Sequence, residues 1–361
     1  MARAGVSDTV KTWANAARGL ALGRNEKPAI LPVSRPGAPN VVDADIPVDI
    51  GCIKVFRSEN FPESGPTPWL DQPDAAETIE RRLARGELTP KQAEMCRFWV
   101  ENGYYVARGA VDPDTIDAAW AAYEAAIARG DITLAPEKAT DDDPHPGRYL
   151  NPHLTVEELD HLLEHPVLLN FSSMVLGRRA IPFQTIASHK GSQQSEHSDS
   201  IHMTTYPLGY LAACWVAMED IHADSGPLVY YPGSHRLPYV FSHDVGISTE
   251  DFREKGYAAY AERYEPAIKH TIAEHGIAPQ RFLAKKGDVL FWHANLLHGG
   301  SPRNDVSRSR KALVHHYFAE GCVCYHDLSA TTSAVHGPVE SLPTCGASSS
   351  DIKRRSQIVR S

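Results

Sequence analysis

Residues 287–318 read GDVLFWHANLLHGGSPRNDVSRSRKALVHHYF. Two short runs in this stretch, Asp288–Trp292 and Ala312–Phe318, are apolar and rich in β-branched or aromatic residues. Between them lie Gly, Ser, Pro, Asn and Asp. That pattern predicts two strands joined by turns. Working outward, Ile181–Ser188, Tyr210–Met218 and Leu228–Tyr231 repeat the same composition and are expected to be further strands. Residues 246–276 interrupt the series with a polar, helical insert that Ser248 starts and Gly276 ends.

Upstream the signals are helical. Thr89-Pro90-Lys91-Gln92 offers an N-cap, a proline at the first helical position and a glutamine to close a capping box. The helix should run to about Asn102 and stop at Gly103. Asp112-Pro113 opens a second, in which Ile116, Ala119, Trp120, Tyr123 and Ile127 recur at helical spacing before Gly130. Thr155-x-x-Glu158 predicts a third, ended by Pro166. Tyr104-Tyr105-Val106 reads as a strand. Residues 1–75 carry many prolines and read as an irregular arm. Residues 76–340 read as a single domain, and residues 341–361 as a disordered basic tail. Helices first and strands after, with one long insert, predict an α+β fold with an antiparallel core. A barrel or sandwich of this kind has a mouth able to hold a ligand.

Composition narrows the function. The chain has 361 residues and a formal net charge of −9, with 42% apolar and 22% charged residues. That is a globular balance, and its acidity argues against nucleic acid as a partner. No apolar run approaches the roughly 18 residues of a membrane span. The six cysteines are scattered, without a C-x-x-C pair, so a zinc site built on paired thiolates is not expected. Cys96 and Cys214 read as small buried hydrophobes. The N-terminal 25 residues lack the apolar core of a secretory signal. Together these features predict a cytoplasmic protein. Oligomeric state leaves no signal.

Eighteen histidines invite a metal hypothesis. They also make about two His-x-acid pairs expected by chance, so spacing alone proves little. His197-Ser198-Asp199 follows a Gly/Ser/Gln loop and precedes a strand, and residues two apart on a strand share a face. His222-Ala223-Asp224 lies in a turn composition and reads as solvated. An iron site for oxygen chemistry is satisfied by two histidines and one carboxylate, with the remaining positions open. The third ligand must come from a distant strand: His293, His298, His315 and His316 are the candidates. Gly299-Gly300 after His298 would permit close approach of backbone to a ligand. His293 reads as supporting or packing. From Arg310 the same strand face carries Ala312, Val314 and His316. An arginine facing into a barrel needs an anion, and a carboxylate held by two hydrogen bonds fits. Trp215, flanked on its face by Ala213 and Ala217, leaves room for a bound molecule.

Five motifs in order then resemble the phytanoyl-CoA dioxygenase family. They are His197-Ser198-Asp199; Ala212–Asp220 (AACWVAMED); Gly226-Pro227-Leu228 with Pro232-Gly233-Ser234-His235; GDVLFWHANLLHGG; and Arg310-Lys311-Ala312-Leu313. ENGYYVARGAVDPDTIDAAW is similar to that family's N-terminal strand and helix, and the likeness spans about residues 90–320. The resemblance implies a double-stranded β-helix (jelly-roll, cupin-like) core flanked by helices. It implies iron(II) as cofactor and 2-oxoglutarate and O2 as cosubstrates, and hydroxylation of a small organic substrate with release of succinate and CO2. Carried over by motif, the iron ligands are His197, Asp199 and His298. Arg310 pairs with the far carboxylate of 2-oxoglutarate, Ser301 assists it, Trp215 lines the cosubstrate pocket and Gln184 makes a polar contact. The interval from His298 to Arg310 is one residue longer than the family pattern, which bears most on Ser301. Asp199 argues against halogenation, where a small residue replaces the carboxylate. The alternative is a cupin-like metal-binding protein that does not use 2-oxoglutarate or turns nothing over. Such a protein would have no need of Arg310. The insert at 246–276, with Arg253, Lys255, Tyr257, Tyr260, Arg263, Tyr264 and Lys269, reads either as a lid suited to an anionic or ring-bearing substrate or as a solvated helix face.

Overall fold

The computed structural model describes residues 57–58, 67–134 and 147–335. Most of the expected arm and all of the expected tail lie outside the described residues. Where the arm is described, Trp69 donates its indole N–H to the Met174 carbonyl, 2.8 Å away, so this part packs on the domain.

The helical layer follows its caps. After α1 (Ala75–Ala84), α2 (Pro90–Asn102) begins with the full capping box between Thr89 and Gln92 and ends at Gly103, whose φ is +74°. In α3 (Pro113–Arg129) the Asp112 carboxylate accepts from the Thr115 N–H, and Gly130 closes the helix. The third expected start is corrected. Thr155 has φ −114° and ψ −28°, not the extended backbone an N-cap needs, because it terminates a 3-10 turn at Pro152–Leu154. Helix α4 (Glu157–Leu163) therefore begins behind Val156, with no side-chain cap. Pro166 does more than end that helix: it is the first residue of α5 (Pro166–Leu176), which Gly177 stops.

The main sheet has six antiparallel strands, in the order β1 (Tyr104–Ala107), β8 (Val289–His293), β5 (Leu211–Ala217), β10 (Ala312–Ala319), β3 (Ala180–Ser188) and β2 (Arg148–Leu150). Facing it are two three-stranded sheets. One is β7 (Gln280–Arg281), β6 (Leu228–Tyr230) and β9 (His298–Gly300); the other is β12 (Thr331–Val335), β11 (Val323–His326) and β4 (Thr204–Tyr206). This is a double-stranded β-helix. β2, β4, β7, β9, β11 and β12 were not foreseen. All six are two to five residues long, too short for an alternating pattern to register.

Alternation on β5 shows why the main sheet is buried on both sides. Ala212, Cys214 and Val216 join the core shared with the helices, while Ala213, Trp215 and Ala217 join a second core with Leu228, Tyr230 and Phe282 between the sheets. The ladder between β10 and β3 slips by one residue between His316 and Tyr317. Residues 246–276 form α6 (Thr249–Lys255) and α7 (Tyr257–His275), separated by Gly256. Ser248 caps α6 as expected. These helices seal a third core around Ile201, Tyr231, Leu297 and Leu328, so the insert is packed onto the β-helix.

Candidate active site

His197, Asp199 and His298 converge. One donor atom from each lies within 4.8 Å of the others, and all three residues are buried. The geometry differs from the strand pair expected. His197 is an isolated bridge residue, exchanging backbone hydrogen bonds of 2.9 Å with His298 in both directions, and Asp199 opens a 3-10 turn. Ser198 between them is extended, with φ −98° and ψ 152°, and the chain turns from Asp199 onward.

Both imidazoles are set in one tautomer. His197 Nδ1 lies 2.8 Å from the Ser195 carbonyl and His298 Nδ1 lies 3.0 Å from the Leu296 carbonyl. A carbonyl can only accept, so each Nδ1 carries the proton and each Nε2 presents a lone pair. Gln194 Nε2 lies 3.2 Å from His197 Nε2 and donates to that lone pair. Asp199 Oδ1 sits 3.6 Å from His298 Nε2. Its Oδ2 accepts a 2.7 Å hydrogen bond from the Trp292 indole and lies 3.7 Å from His316 Nε2. Burial alone would push the carboxyl up. The positive charge that His298, His316 and His197 carry when protonated outweighs burial and lowers Asp199 below the usual carboxylate range. Two neutral nitrogen donors and one ionised oxygen donor on one side of a point are the donor set of a non-heme iron(II) centre, and they fit that ion.

A cavity of about 750 Å³ opens beside these three residues. Arg310, 4% exposed, lies in its wall. Its Nη2 makes only long contacts, 3.4 Å each, to Ser188 Oγ and the Lys190 carbonyl, and its Nε is buried without a partner. Among the described residues no carboxylate pairs with it. Burial, with Arg148 and Arg303 nearby, lowers its pKa to about 10. A buried guanidinium without an anion is costly, and a bound carboxylate removes that cost. Trp215 lies under it, with the ring centroid 5.5 Å from Cζ. Gln184, opposite His316 in the sheet register, lines the same cavity with a buried Oε1 that has no partner. Ser301 is buried and its hydroxyl has no partner, but it is not among the residues that line the cavity.

Other sequence candidates fall elsewhere. His293 bonds Asp71 at 3.0 Å, and His235 bonds the Val100 carbonyl at 3.2 Å. His222 sits with Asp224 in an exposed turn. Cys322 and Cys324 are buried and belong to no candidate metal cluster among the described residues. The glycines after His298 admit a close approach within the protein as well, and Gly299 also lines the cavity. A Cβ at Gly299 would meet the Gln194 carbonyl at 2.9 Å, and one at Gly300 would meet Gln193 N at 2.8 Å. They let the 193–196 segment lie against β9.

Sequence reasoning gave no site role to Trp292, Gln194, Arg148, His202 or His326. Trp292 had a usable signal: it shares a strand face with Leu290, pointing inward. The insert's part was also hidden. The Tyr264 hydroxyl accepts from the Ser198 N–H at 3.2 Å, and Ser195 Oγ donates to Glu265 at 2.8 Å. Helix α7 therefore grips the loop that carries two of the three ligand candidates.

Fold and site together define a β-helix oxygenase whose donor set suits iron(II). The family model "Phytanoyl-CoA dioxygenase" matches residues 99–312, and the chain belongs to that family. The peroxisomal phytanoyl-CoA dioxygenase of Mus musculus is 25% identical over 276 residues, covering 71% of this chain and 75% of that relative. The ectoine dioxygenase of Bordetella bronchiseptica is 28% identical over 159 residues, covering 41% and 50%. Among solved structures, the non-heme alpha ketoglutarate dependent epimerase SnoN from nogalamycin biosynthesis has a TM-score of 0.49 and 18% identity, covering 68% of this chain and 85% of that one. The chain is an iron(II)- and 2-oxoglutarate-dependent dioxygenase acting on a small molecule. No described helix is long and apolar enough to cross a membrane.

Proposed function

We infer that His197, Asp199 and His298 hold the iron, that Arg310 anchors the far carboxylate of 2-oxoglutarate, and that Trp215 and Gln184 wall the cosubstrate. The carrying observation is that three donors within 4.8 Å share one cavity with a buried arginine lacking a carboxylate among the described residues. Iron bound there supplies the redox chemistry that turns O2 and the keto acid into an oxidant, at positions a three-residue ligand set leaves open. The protein's own groups do the rest. The Ser195 and Leu296 carbonyls fix the direction of both imidazole lone pairs. The Trp292 indole holds one Asp199 oxygen and so leaves the other for the metal. Arg310 offers two parallel N–H groups to a carboxylate, which fixes the cosubstrate's length axis.

Residues 76–340 act as one oxygenase unit in this reading, and the 246–276 insert is a brace for the ligand loop. The test is succinate formation from 2-oxoglutarate with iron(II) under air, across candidate substrates. His298→Ala should abolish it. Arg310→Ala should chiefly raise the 2-oxoglutarate concentration required. Activity surviving in His298→Ala would overturn the ligand assignment.

A further inference from the structure

One side chain beside the ligand candidates has no part in the chemistry described so far. The amide of Gln194 is held at both ends. Arg148 Nη1 donates to its Oε1 at 3.3 Å. A guanidinium can only donate, so the amide oxygen faces Arg148 and the NH2 end is turned to His197. That nitrogen lies 3.2 Å from His197 Nε2. The Ser195 carbonyl has already drawn the ring proton to Nδ1, so Nε2 accepts.

The backbone beneath this side chain is pinned. The Gln194 carbonyl accepts from the Gly300 N–H at 2.9 Å, and its own N–H donates to Ser192 Oγ at 3.3 Å. A Cβ at Gly299 would meet the same carbonyl at 2.9 Å. Residue 194 is therefore seated on β9, the strand that begins with His298. Its side chain lines the cavity and has that space to turn into.

The occupied lone pair is the one a metal needs. An ion on an imidazole stands about 2.0–2.1 Å from the nitrogen. The amide nitrogen, 3.2 Å from the same atom, would then crowd the ion, so the two cannot share the lone pair. The other two donors differ. The nearest polar neighbour of His298 Nε2 is Asp199 Oδ1, at 3.6 Å, itself a ligand candidate. The Trp292 indole holds Asp199 by Oδ2 and leaves Oδ1. Among the described residues, His197 Nε2 alone of the three donor atoms is hydrogen-bonded by a group outside the ligand set.

We propose that Gln194 is a positioning residue that competes with the metal: in the metal-free protein its amide fills the His197 lone pair and keeps that imidazole aimed into the cavity, and on metal binding the side chain swings off while its backbone stays on β9. The site is thus formed before the ion arrives, and the ion binds more weakly than the three ligands alone would allow. This rests on the ligand assignment made above.

The test is calorimetric titration of zinc(II) into the metal-free full chain without 2-oxoglutarate. Gln194→Leu keeps the side chain's bulk and removes its donor. It should bind zinc(II) about two- to tenfold more tightly than wild type, the range a single neutral hydrogen bond covers. Its metal-free melting temperature should be equal or lower, so that zinc(II) raises it by more than in wild type. In protein labelled with nitrogen-15 at glutamine, the side-chain NH2 pair that is missing from the variant should shift when zinc(II) is added to wild type. A glutamine that only fills space would move neither the affinity nor that signal. The proposal is overturned if Gln194→Leu binds zinc(II) as tightly as wild type or less so, or if the Gln194 signal ignores the metal. If Gln194→Leu does not fold, Gln194→Ala carries the same expectations. His298→Ala separates the two readings. Zinc(II) affinity unchanged in that variant sinks the ligand assignment; affinity lost there, with Gln194→Leu equal to wild type, sinks this inference alone.

Discussion

Replacing Trp292 by phenylalanine tests how the metal site is held. The indole N–H lies 2.7 Å from Asp199 Oδ2, and the next polar neighbour of that oxygen, His316 Nε2, is 3.7 Å away, beyond hydrogen-bond length. Phenylalanine keeps a ring between the sheets and removes the donor. A hydrogen bond to a charged group contributes about 1.5–3 kcal/mol, and groups that orient a metal ligand typically alter metal affinity about 10–100-fold. Trp292→Phe should thus weaken iron(II) or cobalt(II) binding by about one to two orders of magnitude. It should also lower stability by about 1–3 kcal/mol, because a smaller ring leaves a void. The assay is a cobalt(II) absorption titration beside a urea melt. Phe291→Leu is the control. Phe291 is on the other face of the same strand, stacked on Phe171 at 4.1 Å, so it should lose comparable stability with metal affinity within about twofold of wild type. Equal metal affinity in Trp292→Phe and wild type would refute the claim that this indole sets the carboxylate.

Tyr264→Phe removes the hydroxyl that reaches the Ser198 N–H across 66 residues of sequence. Metal affinity should fall about three- to tenfold, and amide exchange at residues 195–199 should speed up; unchanged exchange would mean that α7 does not brace the loop. Arg310→Met should raise the melting temperature of the ligand-free protein, since replacing an unpaired buried charge by an apolar side chain can gain about 1–4 kcal/mol. The same variant should lose calorimetrically detectable 2-oxoglutarate binding, and a drop in stability would show that the arginine has an anion already. His235 gives a pH dependence. Burial, with His293 and Arg236 near it, pulls its pKa down to about 3. The unfolded chain binds a proton there below about 6.5 and the folded chain does not, so stability rises with pH across that window. Lowering the pH from 7 to 5 should cost about 2 kcal/mol through this group. Urea melts of His235→Gln should show a shallower dependence than wild type; an equal slope would refute it.

Much of this protein is written locally. The Thr89–Gln92 box, Asp112-Pro113 and Ser248 set three helix starts because the cap and the donors it satisfies lie within three residues of each other. Five core strands were legible because each is apolar over several residues and bounded by turn formers. Thr155 misled for the same local reason: its motif was intact, but the preceding Asn151-Pro152 turn had already fixed its backbone. Motif order along the chain singled out His197, Asp199, His298 and Arg310, which share one cavity in the fold, where residue spacing alone could not.

Tertiary structure decided what no window of sequence contains. His197 and His298 become neighbours only when their strands exchange two backbone hydrogen bonds, and Trp292 reaches Asp199 from 93 residues away. Arg148 sits in a three-residue edge strand whose place follows from pairing with β3. The insert's composition leaves it open between a lid and a solvated helix face; in the fold its buried Tyr264 and its Glu265 hold the loop that carries His197 and Asp199. Caps and strand runs are short-range energetics, so sequence displays them. The reach of a side chain across a cavity depends on the summed geometry of every element between, so only the folded chain displays that.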